Sequence, residues 1–392
     1  AAGTLSGFAA AGTKADVFAG ITPQPEVGEE VESKLEVFWE AWDRVQKNYY
    51  EGPLDPRELV EGATRGMVRS TGDDYTDWVD AESAQIDRQR LEGEFEGIGA
   101  TVELTEDGVI RIVRPLPGSP AEEAGLQPND LVLAVDGVAT KGKSLEELIR
   151  EVRGPAGTTV ILTIQSESET QTRDVAVVRR AIVIPSVVSK SVDEFGYVRL
   201  SNFGAKTTGE LRDSIRELRS NGAEGLILDL RNNPGGFLNT AVDVAGEFFP
   251  SGTLVVSEKS RTEGDVEFKS SRRGTAEDLP VVVLINGGSA SASEIVAGAI
   301  KDHGRGKLLG TTTFGKGSVQ IPFELRDNSV VRITVAIWET PGGTHLDGVG
   351  IEPDFKIDGD AAELGGDDDP YLEAARRVLR GQECCANLGL AA

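Results

Sequence analysis

Five consecutive apolar residues, Val281-Val282-Val283-Leu284-Ile285, stop abruptly at Asn286-Gly287-Gly288. A run of this length and β-branched character, bounded by turn residues, reads as a strand buried on both faces, which constrains the chain to a sheet covered by helices. A helix is expected directly after it. Ser291 stands three residues before Glu294, the spacing of a capping box, and Ile295, Val296 and Ile300 supply the apolar face behind it. A serine therefore falls where a buried strand ends and a helix begins. In parallel α/β sheets the carboxyl ends of the strands are where ligands and catalytic groups collect.

Lys316 follows in Thr313-Phe314-Gly315-Lys316-Gly317, flanked by glycines that let its backbone approach another element closely. Gln320 lies four positions on, a spacing that puts both side chains on one face of a helix or a strand, so its carboxamide can accept a hydrogen bond from the Lys316 amine. A serine hydroxyl is a weak nucleophile and needs a base; a lysine serves only if burial lowers its pKa enough to leave it neutral. A serine-rich helix cap and a lysine in a glycine loop account for these residues equally well. A second buried-strand pattern, Gly225-Leu226-Ile227-Leu228-Asp229-Leu230, breaks at Arg231-Asn232-Asn233-Pro234-Gly235-Gly236 before a helix expected from about Asn239 to Phe249. Backbone N–H groups left uncovered by glycines beside a helix start suit the oxyanion of an acyl-transfer intermediate, although a plain strand-to-helix turn has the same sequence.

Taken together, LILDLRNNPGG, NGGSASASE and FGKG with Gln320 after it resemble the C-terminal processing peptidases, or tail-specific proteases. The resemblance runs from about Val31 to Arg380. It implies Ser291 as nucleophile, Lys316 as general base, Gln320 orienting the lysine, Glu294 in support, and an oxyanion hole of the Gly236 and Ala292 N–H groups. It implies no cofactor. The fold class expected is a multidomain α/β and α+β chain, with a catalytic core similar to the crotonase and Clp protease fold, an inserted PDZ domain and helical terminal segments.

The PDZ expectation has its own residues. Gly97-Ile98-Gly99-Ala100-Thr101-Val102 resembles a carboxylate-binding loop, and Gly118-Ser119-Pro120-Ala121-Glu122-Glu123-Ala124-Gly125-Leu126-Gln127-Pro128-Asn129-Asp130 resembles the turn, short helix and turn of bacterial PDZ domains. Successive N–H groups at Ile98, Gly99 and Ala100 can hold a terminal carboxylate while the peptide adds to a sheet edge. Ser144 to Val152 reads as the groove helix, capped by Ser144 with Glu147, and Arg153 after it is either a gating residue or an exposed arginine favoured by the helix dipole.

In chain order the expected organisation is a flexible segment 1–26, a helical region 27–95, the PDZ domain 96–180, the core 181–360, and a helix with tail 361–392. A start at Ala1 reads as a processed or truncated chain, and on family grounds its place is extracytoplasmic. Val31, Leu35, Phe38, Trp39, Trp42, Val45 and Tyr49 recur at three and four and mark an amphipathic helix, its aromatic stripe read as a core face, with a dimer contact as the family-based alternative. Pro56 to Ser70 reads as a second helix capped by Asp55. Asp369-Pro370 opens a last helix through Arg380, and the triplet Asp367-Asp368-Asp369 reads as cap and solvated charge. The adjacent Cys384 and Cys385 read as an accidental pair in a loose tail, and Asn387 to Ala392 as a frayed end or a ligand for the chain's own PDZ groove.

With 65 acidic and 40 basic residues the net charge is −25, which argues against nucleic acid or anionic membrane as partner. No apolar run approaches the length of a membrane span. His303 and His345 have no ligand spacing, so no metal is expected. Two functions compete: a serine endopeptidase that recognises protein or peptide substrates by a free, apolar C-terminus and cuts upstream of it, and a non-catalytic PDZ peptide-binding scaffold.

Overall fold

The computed structural model describes residues 29–105, 108–166, 171–261, 264–357, 364–366 and 368–384. The readings of residues 1–26, Asp367, Cys385 and the closing Asn387 to Ala392 lie outside these residues. The chain forms two compact units, 1–70 and 71–392.

The first unit holds α1 (Glu29–Asn48) and α2 (Pro56–Arg69). Asp55 caps α2 as its sequence predicts, its carboxylate accepting from the Arg57 N–H at 2.9 Å. The aromatic stripe of α1 is not a covered core face. Trp39 is 58% exposed and meets Phe38 and Trp42 edge-on with centroids 5.1 and 5.9 Å away, while Phe38 and Trp42 lie tilted at 6.2 Å.

The second unit begins with β1 (Asp77–Val79), α3 (Ala81–Glu92) and β2 (Glu94–Gly97). α3 has a full set of stop and start signals, with Asp80 accepting from the Ser83 N–H and Gly93 closing the helix at φ 71°. Only Ala84 on it is buried, so no apolar stripe marks it in the sequence. The PDZ-like segment follows: β3 (Ala100–Leu104), β4 (Ile110–Pro115), α4 (Pro120–Glu123), β5 (Leu131–Val135), β6 (Val138–Ala139), α5 (Leu145–Val152), β7 (Thr159–Gln165) and β8 (Thr172–Val178). These strands order as β3-β4-β5-β7-β8, leaving β3 at a free edge, with β6 beside β5. Ile110, Ile112, Leu126, Leu148, Leu162 and Ile164 form a core of their own under this sheet. The expected capping box of α5 is present, with Ser144 and Glu147 exchanging both bonds. β9 (Arg180–Val183) pairs with β2 and ties this segment back to α3.

The remaining elements are β10 (Val187–Val192), β11 (Phe195–Leu200), α6 (Thr207–Ser220), β12 (Leu226–Asp229), α7 (Leu238–Gly246), β13 (Leu254–Ser260), β14 (Gly264–Lys269), β15 (Val281–Ile285), α8 (Ala292–Asp302), β16 (Lys307–Gly310), β17 (Ser318–Glu324), β18 (Val330–Glu339), β19 (Phe355–Lys356) and α9 (Pro370–Leu379). The central sheet orders as β10-β11-β12-β15-β16-β19, and from β11 onward its strands are parallel. All five β15 side chains are buried, each contributing about 1.5–3 kcal/mol. They alternate between faces: Val281, Val283 and Ile285 join the cluster that holds residues of α6, α7 and α8, while Val282 and Leu284 join Leu372 and Ala375 of α9. A second sheet, β1-β18-β13-β14 with β17 also on β18, packs Trp338 into the larger cluster. β13 and β14 have no counterpart in the sequence analysis; five of their positions are charged and β14 is mostly exposed, so no apolar alternation announces them.

Two tail readings change. Asp369 caps α9 as expected, accepting from the Tyr371 N–H, but it is buried rather than solvated. Cys384 is packed among Tyr371, Leu372 and Ile357 rather than loose.

Candidate active site

Ser291 is placed by the turn between β15 and α8. Asn232 and Asn286 bond to each other reciprocally, and the Ser289 hydroxyl donates to the Leu230 carbonyl at 2.8 Å, so the ends of β12 and β15 are stitched together. Ser291 itself sits at φ 54° and ψ −113°. A residue with a β-carbon pays a steric cost there, and such strain persists only where the surroundings over-determine it. It turns the serine out of the helix start with its side chain partly exposed.

The strongest determinant is Glu294. Its fully buried carboxylate accepts from the Ser291 N–H at 2.8 Å and the Lys316 N–H at 2.9 Å through Oε2, and from the Gly315 N–H at 2.7 Å and the Thr313 hydroxyl at 2.6 Å through Oε1. One carboxylate thus grips both the serine elbow and the lysine loop. Its position in the first turn of α8 also suits its charge to the helix dipole.

The glycines around Lys316 are needed for close approach. A β-carbon on Gly317 would lie 2.2 Å from the Asp347 nitrogen, and Gly315 holds φ +87° with the Gly350 nitrogen 3.0 Å away. The Lys316 amine lies over the Tyr75 ring, 5.3 Å from its centroid. Burial lowers its pKa, the Arg332 charge lowers it further, and Asp73 and Glu294 work in the opposite direction.

Gln320 is held by two neighbouring hydroxyls. Its amide donates to Ser318 Oγ at 2.8 Å and Thr334 Oγ1 at 3.1 Å. Lys316 precedes β17, and the register shifts between Val319 and Gln320, so the spacing of four does not carry one face through this segment. Among the described residues no hydrogen bond joins the Lys316 amine to Ser291 or to Gln320. Asp73 and Tyr75 reach the lysine from about 240 positions upstream, a juxtaposition that no local pattern signals, and Arg332 comes from β18, the strand paired with β17.

Gly235 and Gly236 pack against the elbow. A β-carbon on Gly235 would fall 2.9 Å from Ser291 Cβ and 3.0 Å from the Ala292 nitrogen. Phe203 holds this segment on its other side, its N–H donating to the Gly235 carbonyl at 2.9 Å and its carbonyl accepting from the Phe237 N–H at 2.8 Å. That pairing skips the Gly236 N–H, and Ala292, as the first residue of α8, has no acceptor within the helix. Among the described residues these two backbone donors beside Ser291 take no acceptor. Behind them Arg231 is clamped between Asp229 and Asp369, with bonds of 2.6 Å from its Nη2 to each, and Tyr197 donates to Asp229 at 2.8 Å. All three ionic side chains are buried to 1% exposure or less.

The PDZ-like groove lies elsewhere. A cavity of about 690 Å³ runs between β3 and α5, lined by Ile98, Gly99, Ala100, Val102, Ile149 and Arg153 among others. The Ile98 and Gly99 carbonyls are used by Ala121 and Leu116, but their N–H groups take no acceptor among the described residues. Arg153 lies 4.9 Å from the Phe95 ring centroid, its pKa lowered by burial.

Residues 194–357 match the family model described as Peptidase family S41, residues 111–166 a PDZ domain model, and residues 2–83 the model described as Activating protease CtpB N-terminal domain. The chain is 38% identical over 330 residues to the Carboxy-terminal-processing protease of Bartonella bacilliformis, covering 83% of this chain and 75% of that protein. It is 37% identical over 328 residues to the Probable CtpA-like serine protease of Staphylococcus aureus strain COL, covering 83% of this chain but 65% of that longer protein. A solved structure from Bacteroides fragilis NCTC 9343, named for the S41 proteases, aligns over 92% of this chain and 99% of its own with a TM-score of 0.55; at 18% identity it bears on the fold alone. Among the described residues no helix is long and apolar enough to cross a membrane. With a Ser elbow, a half-buried lysine and a PDZ segment on one chain, and with that degree of identity to a named relative, the chain belongs to the carboxy-terminal-processing serine proteases of peptidase family S41.

Proposed function

We propose that the chain is an endopeptidase that binds the free C-terminal tail of a protein or peptide in its PDZ groove and cleaves upstream with Ser291 and Lys316. The observation that carries this reading is the Glu294 carboxylate bonded at once to the Ser291 and Lys316 backbones, which fixes the relative position of nucleophile and base loops. Ser291 attacks the scissile carbonyl while neutral Lys316 takes its proton; Lys316 returns that proton to the leaving amine, and water resolves the acyl-enzyme. The Gly236 and Ala292 N–H groups receive the oxyanion. Gln320 orients the lysine by accepting from its amine through Oε1 while Nε2 stays on Ser318 and Thr334. Catalytic hydrogen bonds of this kind commonly tighten only with substrate bound.

The Ile98, Gly99 and Ala100 loop takes the terminal carboxylate, apolar C-terminal side chains enter the groove beside Ile149 and Val152, and Arg153 links groove occupancy to the core. We read the organisation as PDZ domain 96–180 inserted before a crotonase-like core 181–360, the terminal helices as a dimer contact, and the site of action as extracytoplasmic. A non-catalytic scaffold would have no use for a strained serine beside two open N–H donors. The test is cleavage of matched peptides with free or amidated C-termini by wild type and by Ser291→Ala. Faster cleavage of the free-acid peptide, abolished in the variant, is expected; equal rates remove tail recognition, and cleavage by the variant removes the nucleophile.

A further inference from the structure

A cleft of about 450 Å³ opens beside Gly235 and Gly236, walled by Leu91, Phe237, Pro322 and Val330. Most of its lining is apolar or already ion-paired, as with Arg332 and Asp87. Asn202 is different. Its Oδ1 is sealed from solvent without any hydrogen-bond partner, against Gly204, where an added β-carbon would come within 2.9 Å of it. Its Nδ2 takes no acceptor among the described residues, and Asn202 lines the cleft beside Gly235 and Gly236. The neighbouring Phe203 is the residue whose backbone holds Gly235 and Phe237, so Asn202 stands one position from the strand pairing that aims the Gly236 N–H.

We infer that Asn202 is a substrate-binding residue: its carboxamide donates to a main-chain carbonyl of the peptide flanking the scissile bond and so sets the register of the chain across the Gly236 donor. The inference rests on the proposed peptidase reading. It assigns the cleft to an extended peptide segment whose side chain lies against Leu91, Phe237 and Pro322 while its backbone is held by Asn202. Such a group acts in ground-state binding and transition state alike, so its loss raises KM more than it lowers kcat.

The test pairs protein and substrate changes. Peptides in which one amide at a time, on either side of the scissile bond, is replaced by an (E)-alkene are cleaved by wild type, Asn202→Ala and Asn202→Asp. In wild type one replacement should raise KM by roughly 3- to 10-fold, the worth of one neutral hydrogen bond. In both variants the parent peptide should show that same rise, and the critical replacement should cost nothing further. A merely structural role would lower activity while leaving the penalty of every replacement intact, and that additive result overturns the inference. If wild type fails to cleave the parent peptide, the peptidase reading fails instead; the affinities of the same peptides for Ser291→Ala and for Ser291→Ala with Asn202→Ala then decide the contact, equal ladders in the two proteins counting against it.

Discussion

The site around Ser291 and the PDZ groove spend their hydrogen bonds in opposite ways. Around Ser291 nearly every group that sets geometry is committed inside the protein: Glu294 to four donors, Arg231 to two carboxylates, Asn232 to Asn286. Among the described residues the Gly236 and Ala292 N–H groups take no acceptor. In the groove the balance reverses, with β3 at a free sheet edge, the Ile98 and Gly99 N–H groups unspent and a cavity of about 690 Å³ between β3 and α5. Preorganisation serves chemistry because the site then pays no reorganisation during reaction, while an incomplete sheet edge serves recognition because the ligand completes it. The lesson is that damage should be global and steep in the first region and local in the second.

The steepest break is expected from Ser291→Ala and Lys316→Ala, each lowering kcat/KM by at least ~10³-fold, with the double variant no worse than the singles because the two groups act as one unit. Thermal melting and tail-peptide affinity should be unchanged. Near wild-type turnover in Lys316→Ala would sink the lysine as base. Next comes Asp369→Ala, which leaves Arg231 with one carboxylate and should cost about 3–5 kcal/mol. Urea unfolding of the variant measures this, and a midpoint equal to that of wild type would show that the clamp is not holding the turn. Peptide affinity at the groove, whose core is separate, should survive in the folded variant.

Gly99→Val probes the other region. At φ +75° with Ser119 Cβ 2.5 Å from the new β-carbon, the loop must shift. Tail-peptide affinity should fall by about tenfold or more, the scale of 1–3 kcal/mol of strain, with turnover of a minimal peptide that cannot reach the groove left within about twofold. Equal losses on both peptides would erase the contrast between the regions. A subtler comparison is by pH. Because burial and Arg332 depress the Lys316 pKa, kcat/KM should rise with pH and level off below the ordinary lysine range. Arg332→Gln removes a cation that disfavours the ammonium, so the rise should move to higher pH; Asp73→Asn removes an anion that favours it, so the rise should move lower. Shifts in the same direction would rule out this electrostatic account. The smallest effect is assigned to Arg153→Ala, which should slow a long tailed substrate and spare the minimal peptide; wild-type activity on both removes the gating role.

Some of this was settled by sequence alone, for a physical reason. The β15 run, the helix caps at Ser144, Asp55 and Asp369, and the glycines at 235, 236, 315 and 317 are read locally, because burial on two faces, cap hydrogen bonds and close backbone approach each demand particular residue types within a few positions. α3 carries both caps but no apolar stripe, and β14 is mostly exposed without alternation, so sequence did not set the bounds of either. Tertiary structure alone decided what the long-range partners are. Glu294 reads as a helix cap and turns out to clasp a loop more than twenty residues away; Asp369 reads as a solvated cap and turns out to be half of a buried clamp on Arg231; Gln320 reads as Lys316's neighbour and is drawn to Ser318 and Thr334 by a register shift. Charge and hydrogen-bond partners are chosen by distance in space, and a spacing in sequence constrains that distance only while a single regular element persists between the two residues.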